Sequence, residues 1–265
     1  MNPFNNKVVL ITGASSGIGK ALAIQLADTG VTLILAARRM DELNLLKEEC
    51  EKKGASCTCH FIDMADPKSI AGFVEKVSSQ FSKIDVQINN AGMSQRSQAE
   101  VTAIEVDRKI MEVNFFGQVH ITKLLWPLLI KSAHANIVLI SSVVGTFGFP
   151  QRSAYAASKH ALEGFFESWM LENKRENIHF TTIAPGRVYT HISYAALTAD
   201  GSMHKQMDQG QINGIKAEVC AQKIIRAILK NKRKVYIVQY EMILIILRKC
   251  LPYLFFQLVR KLKLS

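Results

Sequence analysis

The chain has 265 residues, of which 48% are hydrophobic and 21% charged, and its formal net charge is +11. This length and composition fit one large α/β domain or two small ones with an ordinary globular core. Residues 216–265 hold 12 basic residues and two acids, so the charge of the remainder is close to zero. A nucleic-acid-binding enzyme carries basic residues around its working surface, and we therefore discount that class.

The cysteine and histidine content predicts neither disulfides nor a metal site. The five cysteines are an odd number, and Cys57 and Cys59 have no second pair to complete a zinc site. We expect free thiols in a reducing compartment. The seven histidines form no HxH or HExxH pair. The N-terminus lacks a cationic leader with a cleavage site, so we expect the bulk of the protein in the cytoplasm.

Apolar runs and amphipathic patterns alternate through the first two-thirds of the chain. The predicted strands are, in chain order, residues 7–12, 31–36, 57–62, 86–89, 137–140 and 180–183. The predicted helices are residues 17–29, 41–53, 67–81, 115–132 and 153–176. Continuous apolar strands are expected when helices cover both faces of a parallel sheet. The alternation therefore predicts an α/β fold with a doubly wound parallel sheet in three α/β/α layers, the Rossmann fold, as a single domain over residues 1–238.

The turn after the first predicted strand is rich in glycine. Gly13, Gly17 and Gly19 lie where the backbone must turn tightly and where the helix N-terminus offers free N–H groups. A glycine cluster by itself is a weak signal, but its position between strand and helix favours a dinucleotide pyrophosphate site. The predicted contacts are Gly13, Ser15, Ser16, Gly17, Ile18 and Gly19.

The end of the second predicted strand carries arginine where NAD-preferring sites usually carry an acid. Arg38 and Arg39 occupy this place, and the first acids come later, at Asp41 and Glu42. A guanidinium binds phosphate well through paired hydrogen bonds. We predict that Arg38, helped by Ser15 and Arg39, binds the 2′-phosphate of NADP(H). The alternative is that both arginines only cap the strand in solvent.

Tyr155 and Lys159 lie four residues apart and therefore on one face of a predicted helix. A lysine ammonium one turn from a phenol favours the phenolate and lowers a phenol pKa that is ordinarily ~10. Such a tyrosine can act as a general acid or base near neutral pH. Ser142 follows the predicted strand 137–140, which directs its hydroxyl toward the same crevice.

These motifs resemble those of the short-chain dehydrogenase/reductase superfamily over at least residues 7–190. The sequence contains TGxxxGIG, NNAG, VN, SS, YxxxK and PG in the order and at the spacing of that family. The resemblance implies that Tyr155 transfers the proton, that Lys159 holds the nicotinamide ribose and that Ser142 polarises the substrate oxygen. It also implies that Asn114 holds a water in a proton relay behind Lys159.

The resemblance assigns the remaining cofactor contacts by position. An aspartate and the methionine after it meet the adenine, the NNAG motif meets the adenosine ribose, and the PGxVxT motif closes on the nicotinamide carboxamide. These contacts are Asp63, Met64, Asn90, Ala91, Gly92, Pro185, Gly186, Val188 and Thr190. The family spacing to the tyrosine favours Ser142 over Ser141, which is then expected to be structural.

Residues 191–215 follow the last cofactor motif, and in the family that the chain resembles this stretch is a mobile lid over the substrate. Met203 and Met207 suit an adaptable apolar pocket. Phe147 and Phe149, which precede the predicted Tyr155 helix, suggest an apolar wall. We therefore expect a lipophilic carbonyl or alcohol substrate, although such residues also serve as plain packing.

Residues 239–265 form a basic tail that the minimal family pattern lacks. No stretch of it approaches the ~20 apolar residues that a spanning helix needs. From residue 253 onward the pattern is that of an interfacial amphipathic helix. Its apolar face is Leu254, Phe255, Leu258, Val259 and Leu262. We expect either peripheral contact with the cytoplasmic face of a membrane or packing on protein. Such tails occur in the 11-beta-hydroxysteroid dehydrogenase-like branch, which the chain resembles.

Together these features predict an NADP(H)-dependent oxidoreductase that interconverts a carbonyl and a secondary alcohol, with Tyr155 as acid or base. Family habit implies a homodimer or homotetramer through the predicted helices 115–132 and 153–176. The alternative function is a non-catalytic NADP-binding sensor or a membrane-recruited interaction module. An epimerase or dehydratase on the same fold also stays open, because fold does not determine function.

Overall fold

The computed structural model describes residues 4–27 and 30–261, and this part of the chain forms a central parallel sheet between two layers of helices. The strands are β1 Val8–Thr12, β2 Thr32–Ala37, β3 Ser56–Phe61, β4 Val86–Asn89, β5 Ala135–Ile140, β6 Ile178–Pro185, β7 Val188–Tyr189, β8 Ile215–Lys216 and β9 Lys234–Ile237. Seven of them form the sheet in the order β3-β2-β1-β4-β5-β6-β9, and β7 pairs with β8 separately.

Most of the helices lie in the connections between strands, and the last two follow the final strand. The helices are α1 Gly17–Ala27, α2 Met40–Glu51, α3 Pro67–Gln80, α4 Ile104–Met111, α5 Gly117–Leu129, α6 Ser153–Glu172, α7 Gln209–Ile212, α8 Ala217–Leu229, α9 Glu241–Cys250 and α10 Pro252–Lys261. One π-helical turn, Glu112–Phe116, joins α4 to α5. The predicted single-domain Rossmann fold is therefore confirmed.

The two faces of the sheet carry separate apolar cores. Successive side chains of a strand point to opposite faces. Val9 and Ile11 of β1 accordingly pack with residues of α1, α2 and α8. Leu10, between them, packs with residues of α3, α5 and α6. Burial on both faces explains why the strands are continuous apolar runs in the sequence.

The predicted boundaries differ from the observed ones at the ends of both strands and helices: β6, predicted over residues 180–183, spans Ile178–Pro185. The helix predicted over residues 153–176 ends at Glu172. The reason is local: Asn173 adopts an extended conformation, and its side-chain oxygen accepts a hydrogen bond from the Arg175 N–H at 3.2 Å. The helix predicted to begin at residue 115 instead continues directly from the π turn Glu112–Phe116. Because the helical backbone is not interrupted there, no residue in the sequence marks the boundary.

The strand order leaves a crevice at the carboxyl edge of the sheet. Helix α1, after β1, packs on one face of the sheet, whereas α5, in the connection after β4, packs on the other. Adjacent β1 and β4 are the point where the strand order reverses. Open α/β sheets bind ligands outside the carboxyl ends of the strands at such a point.

The tail helices α9 and α10 pack on the body of the domain. Ile245, Phe255 and Val259 are buried against Phe147 and Tyr155 in one apolar cluster. Leu254 and Leu258, predicted to share the apolar face with Phe255 and Val259, remain exposed. Leu262 lies outside the described residues. No described helix is long and apolar enough to cross a bilayer.

Candidate active site

A cavity of about 460 Å³ opens at the carboxyl ends of the central strands. Its walls contain all the residues predicted from the sequence to act in catalysis or cofactor binding except Gly19 and Asn114. Those in the walls are Gly13, Ser15, Ser16, Gly17, Ile18, Arg38, Arg39, Asp63, Met64, Asn90, Ala91, Gly92, Ser142, Tyr155, Lys159, Pro185, Gly186, Val188 and Thr190. The fold thus brings together residues from seven separate segments of the chain.

The glycine turn is shaped for close approach of a ligand to the backbone. Gly13 and Gly17 have φ values of +65° and +56°, which side chains disfavour. A Cβ at Gly19 would lie 2.5 Å from the Gly13 carbonyl oxygen and 2.6 Å from Asn90 Nδ2. Gly19 therefore shapes the turn from behind. The turn leads into the N-terminus of α1, and the residues present fit a dinucleotide pyrophosphate.

Thr12 and Asn90 join this turn to the end of β4. The Asn90 amide donates to the carbonyls of Thr12 and Gly13, at 3.0 and 3.1 Å. The Thr12 hydroxyl accepts hydrogen bonds from the N–H groups of Asn90 and Ala91, at 3.0 and 3.1 Å. Buried Thr12 thus positions two cavity walls at once.

The two arginines after β2 lie at the open end of the cavity, and both are exposed. Arg39 donates to the Ser15 hydroxyl from Nη2 at 3.0 Å and from Nε at 3.3 Å. Arg38 lines the same cavity without joining this pair. Ser15 is therefore the partner of Arg39, whereas the sequence predicted that it assists Arg38.

Asp63 and Met64 follow β3 and form the adjacent wall. The Asp63 carboxylate accepts a hydrogen bond from the Ala65 N–H at 2.9 Å, and the Asp63 N–H donates to the Ser69 hydroxyl at 2.9 Å. These bonds hold the strand end in a turn. A Cβ at Gly117 would lie 2.3 Å from the Met64 carbonyl oxygen, so glycine lets α5 pack directly beneath this wall.

Tyr155, Ser142 and Lys159 converge inside the cavity. Tyr155 and Lys159 are buried on the first turns of α6. Ser142, just after β5, lies beside Tyr155 and acts to lower its pKa, and the Ser142 hydroxyl donates to the Pro185 carbonyl at 3.4 Å. The Lys159 ammonium donates to the Ile140 carbonyl at 2.8 Å and lies 5.8 Å from the centre of the Tyr155 ring. A ligand oxygen near Tyr155 would therefore meet Ser142 as well.

The ionisation of Tyr155 differs from the sequence-based expectation. Burial raises the pKa of Tyr155, and the opposing influences are the Ser142 hydrogen bond and the charges of Arg152 and Arg96. Burial also lowers the pKa of Lys159 to about 8. Two arginines from outside the motif, Arg152 and Arg96, thus act on Tyr155 in the direction expected of Lys159.

Asn114 lies in the π turn behind the cavity and is fully buried. Its Oδ1 accepts a hydrogen bond from the Met93 N–H at 2.8 Å, and its Nδ2 donates to the Met93 carbonyl and the Ser158 hydroxyl, both at 3.0 Å. The amide is thus engaged by protein groups and fastens the strand end to α6. A role in holding a water stays a prediction.

Ser141 also lines the cavity, but its hydroxyl makes a different contact from that of Ser142. Its hydroxyl donates to Glu163 Oε1 at 2.6 Å, and Glu163 Oε2 pairs with Lys234 at 2.6 Å. These bonds join the end of β5 to α6 and β9. The interaction agrees with the structural role expected for Ser141.

Glu241, at the start of α9, holds the loop that begins with Pro185. Glu241 Oε1 accepts a hydrogen bond from the Arg187 N–H, and Oε2 accepts one from the Gln239 N–H, both at 2.9 Å. A Cβ at Gly186 would lie 2.7 Å from the Glu241 carboxyl carbon. No local motif predicts this contact, because 54 positions separate Glu241 from Arg187. In the sequence, Glu241 stands out only as a single acidic residue within the basic and apolar tail, residues 239–265.

The stretch 191–215 covers one side of the cavity, into which Ile192, Ala195, Met203 and Gln211 extend. Within it, Asp208 forms ion pairs with arginines that precede it by 112 and 56 positions. No motif marks those arginines, and such distant pairs appear only in the folded chain. Among the described residues, no group of histidine, cysteine or acidic side chains could hold a metal ion.

Comparisons with known proteins agree with this geometry. The family model for short chain dehydrogenase matches residues 7–200. The chain is 38% identical to Dehydrogenase/reductase SDR family protein 7-like from Drosophila melanogaster over 265 residues, which cover 98% of this chain and 81% of the relative.

Solved structures are similar over most of the chain. An alcohol dehydrogenase from the archaeon Thermococcus sibiricus, complexed with 5-hydroxy-NADP, has a TM-score of 0.76 and 26% identity, covering 88% of this chain and 96% of that one. An SDR from Burkholderia phymatum, in complex with NAD, has a TM-score of 0.83 and 22% identity, covering 96% of each chain, and supports the fold alone. Because the family model spans the glycine turn, the Tyr155 helix and the start of the lid, the chain belongs to the short-chain dehydrogenase/reductase family of oxidoreductases.

Proposed function

We propose that this protein is an NADP(H)-dependent oxidoreductase that interconverts a carbonyl and a secondary alcohol on a lipophilic small molecule, with Tyr155 as the acid and base. One observation carries the proposal. Tyr155, Ser142 and Lys159 meet in the same cavity as a glycine turn that fits a dinucleotide.

The side chains of the cavity can perform the proton transfer. Tyr155 donates its hydroxyl proton to the carbonyl oxygen during reduction and removes the alcohol proton during oxidation. Ser142, which lines the same cavity beside Tyr155, donates to the same oxygen and stabilises the charge that develops there. Bound NADPH supplies the hydride. Because burial raises the pKa of Tyr155, the protonated form that reduction needs prevails at neutral pH, and oxidation should accelerate as pH rises.

The preference for NADP(H) is supported by charge at the adenosine end of the cavity. Arg38 and Arg39 both lie there, and Ser15 holds Arg39 in place. Two guanidinium groups suit a phosphate better than a ribose hydroxyl. The Thermococcus sibiricus structure contains an NADP derivative.

The preference for a lipophilic substrate is supported by the residues at the end of the cavity away from Arg38 and Arg39. Met93, Ile192, Ala195 and Met203 line the cavity near the lid. Binding pockets for small molecules are predominantly apolar with a few placed polar groups. The polar groups placed near these apolar residues are those of Ser142 and Tyr155, together with His191 and Gln211 of the lid.

Two partners are part of the proposal. A homo-oligomer formed through α5 and α6 is supported by three exposed apolar residues on or near these helices, which are Phe116, Leu124 and Leu171.

The exposed residues of the tail support contact with an anionic membrane. Its exposed apolar residues are Tyr240, Ile243, Ile246, Leu251, Tyr253, Leu254, Phe256 and Leu258. Arg248, Lys249, Arg260 and Lys261 lie among them, and the one acid in the range 240–261, Glu241, is buried.

The proposal is tested by following NADPH absorbance with a panel of lipophilic ketones and aldehydes. We expect turnover that falls by at least ~10²-fold in Tyr155→Phe, the usual contribution of a positioned acid. Tyr189→Phe, an exposed tyrosine outside the cavity, is the control and should keep full activity. Turnover that survives in Tyr155→Phe contradicts the assigned role. NADPH binding without turnover on any substrate favours the sensor function instead.

A further inference from the structure

Three charged side chains form a cluster beside the start of α6. Arg96 follows β4, Arg152 immediately precedes α6, and Asp208 lies in the lid. The Asp208 carboxylate accepts hydrogen bonds from Arg96 Nε at 2.9 Å and from Arg152 Nη2 at 2.8 Å, and its second contact with Arg96 is through Nη2. One carboxylate therefore bridges two guanidinium groups.

The cluster is largely shielded from water. The Arg96 side chain is 5% exposed, and those of Arg152 and Asp208 are each 19% exposed. The Ser94 hydroxyl accepts a hydrogen bond from each arginine, at 3.0 and 3.1 Å. With two cations and one anion the cluster keeps one unbalanced positive charge. Charges in such a place are weakly screened.

The same cluster is joined to the backbone of Tyr155. Gln95, the neighbour of Arg96, accepts hydrogen bonds through Oε1 from the N–H groups of Ala154 and Tyr155, at 2.8 and 3.4 Å. Arg152 precedes Tyr155 by one helical turn. The charges of Arg152 and Arg96 both act to lower the pKa of Tyr155, against the larger effect of burial.

We propose that Asp208 is a positioning residue for Tyr155: by cancelling one of two arginine charges beside the tyrosine, it sets how readily Tyr155 releases its proton. Because Asp208 belongs to the lid, the compensating charge is in place only while the lid lies against Arg96 and Arg152. The expected effect on the reaction rate rests on the proposed acid–base role of Tyr155. The expected effect of Asp208 on the ionisation of Tyr155 does not depend on that role.

The experiment measures the ionisation of Tyr155 in the full chain. Phenolate absorbance is titrated against pH in each protein and in the same protein with Tyr155→Phe, so that the difference belongs to Tyr155. In Asp208→Asn the cluster gains a net positive charge, and we expect the midpoint to fall by about one pH unit. In Arg152→Gln the cluster loses a positive charge, and the midpoint should rise. The low-pH limb of the oxidation rate should move in the same directions.

Asp200→Asn is the matched control, because it removes an exposed carboxylate from the same lid and should leave the midpoint unchanged. Should Asp208→Asn fail to fold, Arg152→Gln decides alone. A midpoint that stays in place, or moves opposite to the stated direction, overturns the inference. Failure of the proposed function would look different, because turnover would then survive in Tyr155→Phe while the titration still reported on the charges.

Discussion

The two arginines after β2, Arg38 and Arg39, line the same cavity but differ in their hydrogen bonds. Arg39 is held by Ser15, whereas Arg38 extends along the wall. A phosphate between them would meet one fixed guanidinium and one adjustable one. Paired hydrogen bonds to phosphate are strong when the donors are charged, so both residues should contribute to the cofactor preference.

We therefore predict that Arg38→Ala raises KM for NADPH by about tenfold, which corresponds to ~1.4 kcal/mol, and leaves KM for NADH nearly unchanged. Arg39→Ala should act in the same direction. Lys20→Ala removes an exposed charge on α1 outside the cavity and serves as the control. The prediction is wrong if KM for NADH rises by the same factor, because the arginines would then bind a part common to both cofactors.

At the scale of secondary-structure elements, α9 is tied to the cofactor side of the cavity. Its first residue, Glu241, receives two backbone N–H groups and packs against Gly186. The tail is thus part of the support for the loop that leads into Val188 and Thr190. An acid at a helix N-terminus also interacts favourably with the helix dipole.

Replacing Glu241 should loosen that loop. Glu241→Ala leaves two partly buried N–H groups without their acceptor, and we expect the free energy of unfolding to fall by about 2 kcal/mol. Glu241→Gln keeps one acceptor oxygen, so it should cost less while still weakening NADPH binding. Urea denaturation and fluorescence titration with NADPH measure the two effects. Glu218→Gln, an exposed acid in the first turn of α8, is the control. Unaltered NADPH affinity in both Glu241 variants would contradict the assignment.

For the molecule as a whole, the tail helices α9 and α10 bury one apolar face against the domain and expose further apolar and basic side chains to solvent. A second copy docked on the same surface by two-fold symmetry would bring its own four cations against these four. An anionic lipid surface would instead complement them. Phe147 packs on Phe255 with ring centres 5.4 Å apart, so this surface adjoins the Tyr155 region.

We predict that the full chain sediments with vesicles of phosphatidylcholine containing about one-third phosphatidylserine and that high salt weakens this binding. Tyr253→Ser with Phe256→Ser should lower the bound fraction severalfold, because both exposed rings lie on α10. Leu45→Ser, which changes an exposed apolar residue on α2, is the matched control. Equal sedimentation of both variants would exclude the tail as the contact. Loss of a dimer in the tail variant, without vesicle binding, would assign the surface to a second copy.

Much of the fold could be predicted because its signals are local. Strand β1 is a continuous apolar run between Lys7 and the glycine turn, and both of its faces are buried. The asparagine that ends α6 early carried no comparable signal, because its turn depends on a hydrogen bond to Arg175. Helix ends depend on single capping contacts, and patterns locate them only approximately.

The fold class, the glycine turn and the motif residues of the cavity could be predicted from local patterns, because each depends on residues close together along the chain. The charges that act on Tyr155, the arginine that Ser15 holds and the loop that Glu241 supports could not, because these contacts join distant parts of the chain. Arg96 and Asp208 are 112 positions apart, and Arg187 and Glu241 are 54 apart. Burial and charge act through space, so their effect on one side chain exists only once the chain has brought these residues together.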